Sequence, residues 1–328
     1  MLLWPHRNTD WLYMLDKVEQ CFTEIASAIN EEGEKLIIAA PDTSAVEGRL
    51  HNLDRTKIKF IKLMTNDTWA RDVCPIVTTE DGMPAINDFK FNGWGLKFAA
   101  NFDNLITSGL KKAGLFGDNK YHNYLSFVLE GGSIESDGNG TLLTTSQCLL
   151  SPNRNGGHTK EKIEATLREA FGAEQVLWLD FGYLEGDDTD SHIDTLARFA
   201  PGGNIIYVGT DNHKDCHYAE LRKMKEQLAT FRMATGEPYK LVELPLPHPI
   251  FDEDGNRLPA TYANFLICNG FVLVPIYNQP DNDRTALETI GKVFEGYKIK
   301  GIDCTPLVQQ HGSLHCVTMQ FPENSIKL

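Results

Sequence analysis

The sequence is short of positive charge, of long apolar runs and of paired cysteines. Its 328 residues carry 31 Lys and Arg against 45 Asp and Glu, which gives a formal net charge of −14. Nucleic-acid backbones and anionic membranes demand a basic face, so this balance argues against both as partners and leaves a cationic substrate open. No apolar stretch approaches the roughly 20 residues that cross a bilayer. The two best runs, Leu36–Ala40 and Phe271–Ile276, have the length of strands.

Seven cysteines are spread along the chain without a Cys-x-x-Cys pair, at positions 21, 74, 148, 216, 268, 304 and 316. Their odd number and wide spacing predict reduced thiols in a cytoplasmic protein, one of which is open to a nucleophilic role. The first ten residues lack a basic segment followed by an apolar one, so the sequence predicts no export signal.

Several segments follow one plan of two apolar strands joined by a glycine turn, then an amphipathic helix and a closing strand. The clearest copy spans 127–180, with its turn at Gly140 and its helix at 160–171. Further copies turn at Gly203 and Gly270, so the turn glycines lie 63 and 67 residues apart. A unit of this size cannot bury its apolar face alone, which predicts that the units pack together.

A weaker copy surrounds the Asp81-Gly82 turn, and a first unit holds a helix at 10–30 and the strand Leu36–Ala40. The strand Leu314–Gln320 is expected to complete that first unit from the other end of the chain. These patterns predict five units around a common axis in a single catalytic domain, 1–328. The alternative is a set of unrelated βα units in a doubly wound sheet.

Three stretches concentrate reactive side chains: Asp67–Asp72, Glu130 with the segment 186–194, and Gly312–Cys316. His192 and Asp194 stand two apart at the expected start of a strand, so both should project to one side and act on one ligand. Each stretch also has a structural explanation, because a cysteine in an apolar strand is usually a core residue and an Asp-rich run is usually a solvated loop.

Taken in order, these motifs resemble those of agmatine deiminases and the Porphyromonas-type peptidylarginine deiminases grouped with them in the pentein superfamily. The resemblance spans essentially the whole chain and implies the pentein fold, a fivefold α/β propeller of ββαβ-type units with its site at the central axis. It rests on the following runs: Leu3–His6, Trp69–Asp72, Leu129–Ile134, Thr141–Thr145, Cys148–Asn155, Asp190–Asp194 and His315–Thr318.

The resemblance implies a catalytic role for five residues by position. Cys316 is expected to be the nucleophile and His192 the general acid and base. Asp72 and Asp194 are expected to hold the guanidinium, and Glu130 matches the acidic residue beside the histidine. No metal and no other cofactor is expected.

Contacts to the remainder of the substrate are expected from Asp188, which would bind its distal amine, from the adjacent Asp187, and from Trp69 as a packing face. The sequence departs from the family at three places. Ser191 stands where glycine is common, Gly312-Ser313-Leu314 where the family has a run richer in glycine, and Met319 where glutamine is common. These departures leave the reacting groups in place and concern the shape of the pocket.

The expected activity is hydrolysis of agmatine to N-carbamoylputrescine and ammonia through a covalent intermediate on Cys316. A peptidyl-arginine or a free-arginine deiminase is the alternative, and free arginine would call for a cation such as Arg71 or Arg198 for its carboxylate. From another class, a catalytically silent pentein that binds a partner stays open, as does a homo-oligomer. Zinc at His213-x-x-Cys216-His217 lacks an evident fourth ligand.

Overall fold

The computed structural model describes residues 1–327, which form an α/β chain of short strands and helices. Its strands are β1 (Leu2–Leu3), β2 (Leu36–Ala40), β3 (Ile58–Lys62), β4 (Ile76–Glu80), β5 (Met83–Lys90), β6 (Lys120–Val128), β7 (Ile134–Ser136), β8 (Thr141–Thr145), β9 (Gln175–Leu179), β10 (Ala197–Ala200), β11 (Asn204–Gly209), β12 (Lys240–Pro245), β13 (Leu266–Ile267), β14 (Phe271–Ile276) and β15 (Lys298–Asp303).

Its helices are α1 (Leu15–Glu31), α2 (Thr43–Arg49), α3 (Ala70–Val73), α4 (Gly93–Leu96), α5 (Ile106–Lys112), α6 (Ser146–Leu149), α7 (Pro152–Asn155), α8 (Lys160–Phe171), α9 (Tyr218–Leu228), α10 (Pro280–Val293) and α11 (Thr305–Val308). A 3₁₀ turn at Asp10–Met14 precedes α1. The first residues of the helix predicted at 10–30 are therefore 3₁₀-helical and the remainder is α-helical. Within residues 1–327, no helix combines the length and the apolar character needed to span a bilayer.

The strands form five three-stranded sheets, and four of these sheets share one pattern. In each of the four, two antiparallel strands form a hairpin and a third strand pairs in parallel with the second strand. The predicted turns at Gly82, Gly140, Gly203 and Gly270 all lie between hairpin strands and all have positive φ. The hairpin predictions are therefore confirmed, because glycine enters this backbone region without steric cost.

The helix α8 shows why the connection between hairpin and third strand is helical. The Thr159 side chain caps its first turn by accepting a bond from Lys162 N, and Gly172 ends it with φ 64°. Ile163 and Leu167, one turn apart, are buried on the same face. A helix with one apolar face covers its own sheet, and this brings the third strand back parallel to the second. The ββαβ plan is thus confirmed for the units containing α8, α9 and α10.

The predicted strand Leu314–Gln320 is wrong. The segment is a turn whose only ladder contact among the described residues is a single antiparallel bridge between Leu2 and Thr318. Thr318 bends it by donating both its N–H and its hydroxyl to the His315 carbonyl, each at 3.1 Å. The first sheet is instead built by β1, β2 and β3, all parallel.

The chain divides into two compact units. The first contains residues 1–131 and the segment from His315 onward, and the second contains Gly132–Leu314. The first unit holds two of the sheets and the second holds three. The core of the second unit includes Leu143, Ile193 and Leu221, all nearly inaccessible to solvent. The prediction of one catalytic domain over 1–328 stays a prediction.

A buried ion pair joins two strands inside the second unit. Glu135 on β7 accepts from Arg198 Nε on β10 at 2.7 Å, and its second oxygen accepts from Phe199 N at 3.2 Å. The guanidinium also donates to the Phe265 carbonyl at 2.7 Å and lies 5.0 Å from the centre of that ring. The side chains of Glu135 and Arg198 are 9% and 4% exposed. Arg198 is therefore occupied within the fold.

Replacing Glu135 by alanine should lower the free energy of unfolding by about 3–5 kcal/mol, because the buried Arg198 charge loses its partner. The quantity is measured by urea denaturation. As a matched control, Glu226→Ala breaks the exposed pair between Arg222 and Glu226, which should cost less than about 1 kcal/mol. Equal losses in the two variants would contradict the importance of this pair.

Candidate active site

Asp72, a predicted guanidinium ligand, lies in the one-turn helix α3 of the first unit. Its side chain is buried, and Oδ2 accepts a bond from Trp94 Nε1 at 2.9 Å. The sequence patterns did not single out Trp94, although a tryptophan between Gly93 and Gly95 signals an unusual backbone. Trp94 does adopt a positive φ of 53°. The indole thus orients the carboxylate of Asp72.

Arg71 attaches the turn that carries Cys316 to helix α3. Its backbone N–H donates to the Cys316 carbonyl at 3.1 Å. Its guanidinium donates to the His315 carbonyl at 3.5 Å and to the side chain of Gln320. The same arginine therefore precedes Asp72 in sequence and forms hydrogen bonds with residues before and after Cys316. Its guanidinium serves the fold, as that of Arg198 does.

The segment that carries Glu130 passes close to the Arg71 backbone at Gly131, the glycine that follows it. The Glu130 side chain is fully buried. A Cβ added at Gly131 would lie only 2.2 Å from the Arg71 carbonyl oxygen, so a larger residue would push the two segments apart. Glycine at position 131 therefore permits a close approach of this segment to the Arg71 backbone.

Trp69 is buried and its indole is fixed from two sides. Its ring lies 5.8 Å from that of Trp11, and its Nε1 donates to Asp67 Oδ2 at 3.1 Å. The other oxygen of Asp67 accepts from Trp11 Nε1 at 3.0 Å. A single carboxylate therefore sets both indoles, which is a second contact that the sequence patterns did not identify.

The segment that holds Asp67 is capped by Asp103, whose oxygens accept from Asn66 N at 2.7 Å and from Asp67 N at 3.1 Å. Burial raises the pKa of Asp103 to about 7, although the bond from Asn66 N opposes the shift and the Asp67 charge adds to it. Burial likewise raises the pKa of Asp67 to about 6, against the bond from Thr68 N. The two carboxyl groups therefore titrate near neutral pH.

In the second unit, His192 and Asp194 lie at a 3₁₀ turn, Ile193–Thr195, and the prediction that they start a strand is wrong. The turn forms because Thr195 Oγ1 donates back to the His192 carbonyl at 2.8 Å. The argument that alternation along a strand projects both side chains to one side therefore does not hold. Both side chains are nonetheless buried, at 1% and 0% exposure.

Asp187 and Asp188 lie in the loop before His192, and both are partly buried. The carboxylate of Asp187 accepts from Ser191 N at 2.6 Å and from Thr189 Oγ1 at 2.6 Å. It therefore holds the loop. Substrate binding by Asp187 and by Asp188 stays a prediction. Ser191, which stands where relatives commonly have glycine, has a φ of 63°, a conformation that glycine adopts without cost.

Cys216 and His217 are candidate zinc ligands by residue type, and their contacts test this. The Cys216 sulfur lies 3.3 Å from Glu185 Oε2, but it also lies 3.5 Å from the Arg257 guanidinium. Both imidazole nitrogens are bonded, Nδ1 to Asp215 Oδ1 at 2.8 Å and Nε2 to the Glu185 N–H at 2.7 Å. A zinc ion would compete with a fixed cation and with both imidazole bonds, so these residues do not fit the metal.

The structure thus groups the predicted residues within each unit. In the first unit, Arg71 lies beside the segments that carry Asp72, Glu130 and Cys316. In the second unit, one loop and its following turn carry Asp187, Asp188, His192 and Asp194. The first unit thus carries carboxylates and a thiol, and the second unit carries carboxylates and an imidazole. The individual roles stay predictions.

Comparison with known proteins gives consistent likenesses over the whole chain. The pattern of the Porphyromonas-type peptidyl-arginine deiminase family matches residues 1–322. A solved Porphyromonas gingivalis protein provisionally named an arginine deiminase is 50% identical, with a TM-score of 0.94 over 99% of this chain and 96% of its own. The C. jejuni agmatine deiminase with substrate bound is 39% identical, with a TM-score of 0.89 over 97% and 91%. A Vibrio parahaemolyticus protein provisionally named an agmatine deiminase is 32% identical over 98% of this chain and 93% of its own.

The five small sheets and these likenesses define a pentein-class α/β hydrolase. The predicted fold class is therefore confirmed. The chain belongs to the Porphyromonas-type peptidyl-arginine deiminase family.

The raised pKa values of Asp67 and Asp103 predict a pH dependence of stability. Unfolded carboxyl groups titrate near 3.8, so between about pH 4 and pH 7 the folded state binds more protons and the free energy of unfolding falls as pH rises. In Asp103→Asn, the fall from about pH 5 to about pH 8 should be smaller, on the order of 2 kcal/mol less. Urea denaturation at a series of pH values measures it.

The control for this series is Asp81→Asn, which removes a carboxylate whose side chain is 94% exposed on a hairpin turn. The two variants have the same change in formal charge. If both flatten the pH dependence equally, net charge and not the buried pair at 67 and 103 is responsible.

Proposed function

We propose that this protein hydrolyses the guanidinium group of agmatine to N-carbamoylputrescine and ammonia. The observation that carries the proposal is the hydrogen bond from Arg71 N to the Cys316 carbonyl, which attaches the thiol-bearing turn to the helix that bears Asp72. A carboxylate for the cation and a sulfur for its carbon are thereby supplied together within the first unit. The named substrate of the C. jejuni and Enterococcus faecalis relatives, agmatine, supports the choice.

A guanidinium carbon is a poor electrophile because its charge is spread over three nitrogens. Asp72 and Asp194 would each form charge-assisted, bidentate hydrogen bonds to the planar cation, which fix it for attack. Glu130 would accept a hydrogen bond from the one N–H group that remains, beside the histidine. Asp188, with Asp187 next to it, would bind the distal amine, and Trp69 would pack against the methylene chain.

The Cys316 thiolate would then attack the carbon, and the C–S bond forms as a tetrahedral adduct. His192, protonated, would give its proton to an unsubstituted nitrogen, and the C–N bond breaks to release ammonia. An amidino-thioether remains on Cys316. His192 would next take a proton from water, whose oxygen bonds to the same carbon. Cleavage of the C–S bond, with loss of the remaining hydroxyl proton to the released ammonia, gives the neutral ureido product and restores the thiolate.

Agmatine is favoured over free arginine because the two cations named for an arginine carboxylate are occupied. Arg71 binds the His315 carbonyl and the Gln320 side chain, and Arg198 is paired with Glu135. The net charge of −14 also favours a doubly cationic substrate without a carboxylate. We further propose a cytoplasmic location, where the seven free thiols stay reduced.

The substrate proposal is tested by incubating the purified protein with agmatine, with free arginine and with an arginyl peptide of blocked ends. Ammonia and ureido product should form from agmatine with a kcat/KM at least about tenfold above that for the other two, a difference of about 1.4 kcal/mol in transition-state stabilisation. Release from the peptide without release from agmatine would overturn the choice of substrate. Release from none of the three would favour a catalytically silent binding protein.

The nucleophile is tested with a haloacetamidine, a guanidinium mimic that alkylates a thiol held beside its binding site. Wild-type protein should take up one label per chain, and Cys316→Ser should lose both the label and turnover while keeping its thermal unfolding temperature. The control is Cys216→Ser, because Cys216 is the exposed thiol of the seven. It should keep the label and full activity. Labelling that follows Cys216, or substantial turnover by Cys316→Ser, would show that the nucleophile is another residue.

A further inference from the structure

Two consecutive residues directly before His192 have left-handed backbone conformations. Asp190 has a φ of 65° and Ser191 a φ of 63°. For residues other than glycine this region is sterically strained. The pair therefore persists only where surrounding contacts determine it, and its relaxation would redirect the chain at the point where His192 begins.

One set of contacts comes from within the loop. Asp187 Oδ2 accepts from Ser191 N at 2.6 Å, and Asp187 Oδ1 accepts from Thr189 Oγ1 at 2.6 Å. The Thr189 hydroxyl in turn accepts from His192 N at 3.1 Å. This chain of bonds connects the left-handed pair to the backbone of the histidine.

The second set comes from Arg154 on helix α7. Its Nη1 donates to Asp190 Oδ2 at 2.5 Å, and its Nη2 donates to the Thr189 carbonyl at 2.8 Å. The Arg154 side chain is fully buried, whereas that of Asp190 is 26% exposed. The planar fork of a guanidinium suits two acceptors held at a fixed spacing, and a lysine offers no such fork. Arg154 thus determines the backbone and the side chain of the turn together.

We propose that Arg154 is a positioning residue for the reaction, which fixes the left-handed turn at Asp190–Ser191 and through it the orientation of His192. Arg154 acts through the turn and donates to residues of the loop, so it is not a substrate ligand. The inference rests on the proposed function in taking agmatine as the substrate and His192 as the acid and base.

The test compares Arg154→Gln, Ser191→Gly and the double variant, with agmatine as the probe. Arg154→Gln should lower kcat about 10- to 100-fold, as expected when a group that orients a catalytic residue is lost, with KM changed less than about threefold. Ser191→Gly alone should keep wild-type kcat. The double variant should recover at least about threefold in kcat over Arg154→Gln, because glycine enters the left-handed region without strain.

Arg222→Gln is the matched control, since it removes an arginine of the same unit from an exposed ion pair, and its kcat should equal that of the wild type. If Arg154→Gln does not fold, Arg154→Lys keeps the buried charge and carries the same comparison with Ser191→Gly. A spectroscopic readout accompanies the kinetics. The His192 imidazole resonance, assigned with His192→Asn in ¹³C-histidine protein, should shift in Arg154→Gln and return in the double variant.

Wild-type kcat in both Arg154 variants, or no recovery on adding Ser191→Gly, would overturn the inference. The failure of the proposed function looks different. Retained turnover in His192→Asn would show that the imidazole is not the acid and base, whereas an inactive His192→Asn with a fully active Arg154→Gln would overturn only the role of Arg154.

Discussion

The candidate chemistry of the first unit depends on the hydrogen bonds from Arg71 to the turn that carries Cys316. Cys316 lies more than two hundred positions from Asp72 in sequence. Its turn is nonetheless held to Arg71, the residue before Asp72, by a backbone hydrogen bond and by the guanidinium. Gly131 leaves room for the segment of Glu130 to pass the same backbone. The buried guanidinium is therefore a fixed part of the scaffold beside Asp72 and Glu130.

In the second unit, hydrogen bonds also hold the segment that carries a candidate residue, here at a strained turn. Its loop places His192 after two left-handed residues that Asp187 and Arg154 hold in place. In both units the reactive side chains lie in turns next to short sheets, and an arginine fixes the turn. A rigid sheet with a pinned loop keeps a reactive group in one orientation while leaving the strands free to build the core.

Local patterns were reliable where one short-range preference decided the outcome. Asp-Gly and Asn-Gly pairs predicted the hairpins because positive φ favours glycine, and apolar spacing predicted helix α8 to the residue. Strand predictions failed at Leu314–Gln320 and at 192–194, where His192 and Asp194 were expected to alternate along the start of a strand. There, threonine hydroxyls bond back to carbonyls three residues earlier and wind the backbone into turns. Such competition between side chain and ladder is not visible in a hydrophobic pattern.

The sequence by itself determined the repeated hairpin units, the acidic character, and the resemblance whose family the whole-chain match confirms. These features follow from composition and from neighbours along the chain. Only the tertiary structure decided that Arg71 and Arg198 are occupied, that Trp94 orients Asp72, and that Arg154 holds the turn before His192. Each of these contacts joins residues distant in sequence, so its formation depends on how the sheets and loops pack and not on any local preference.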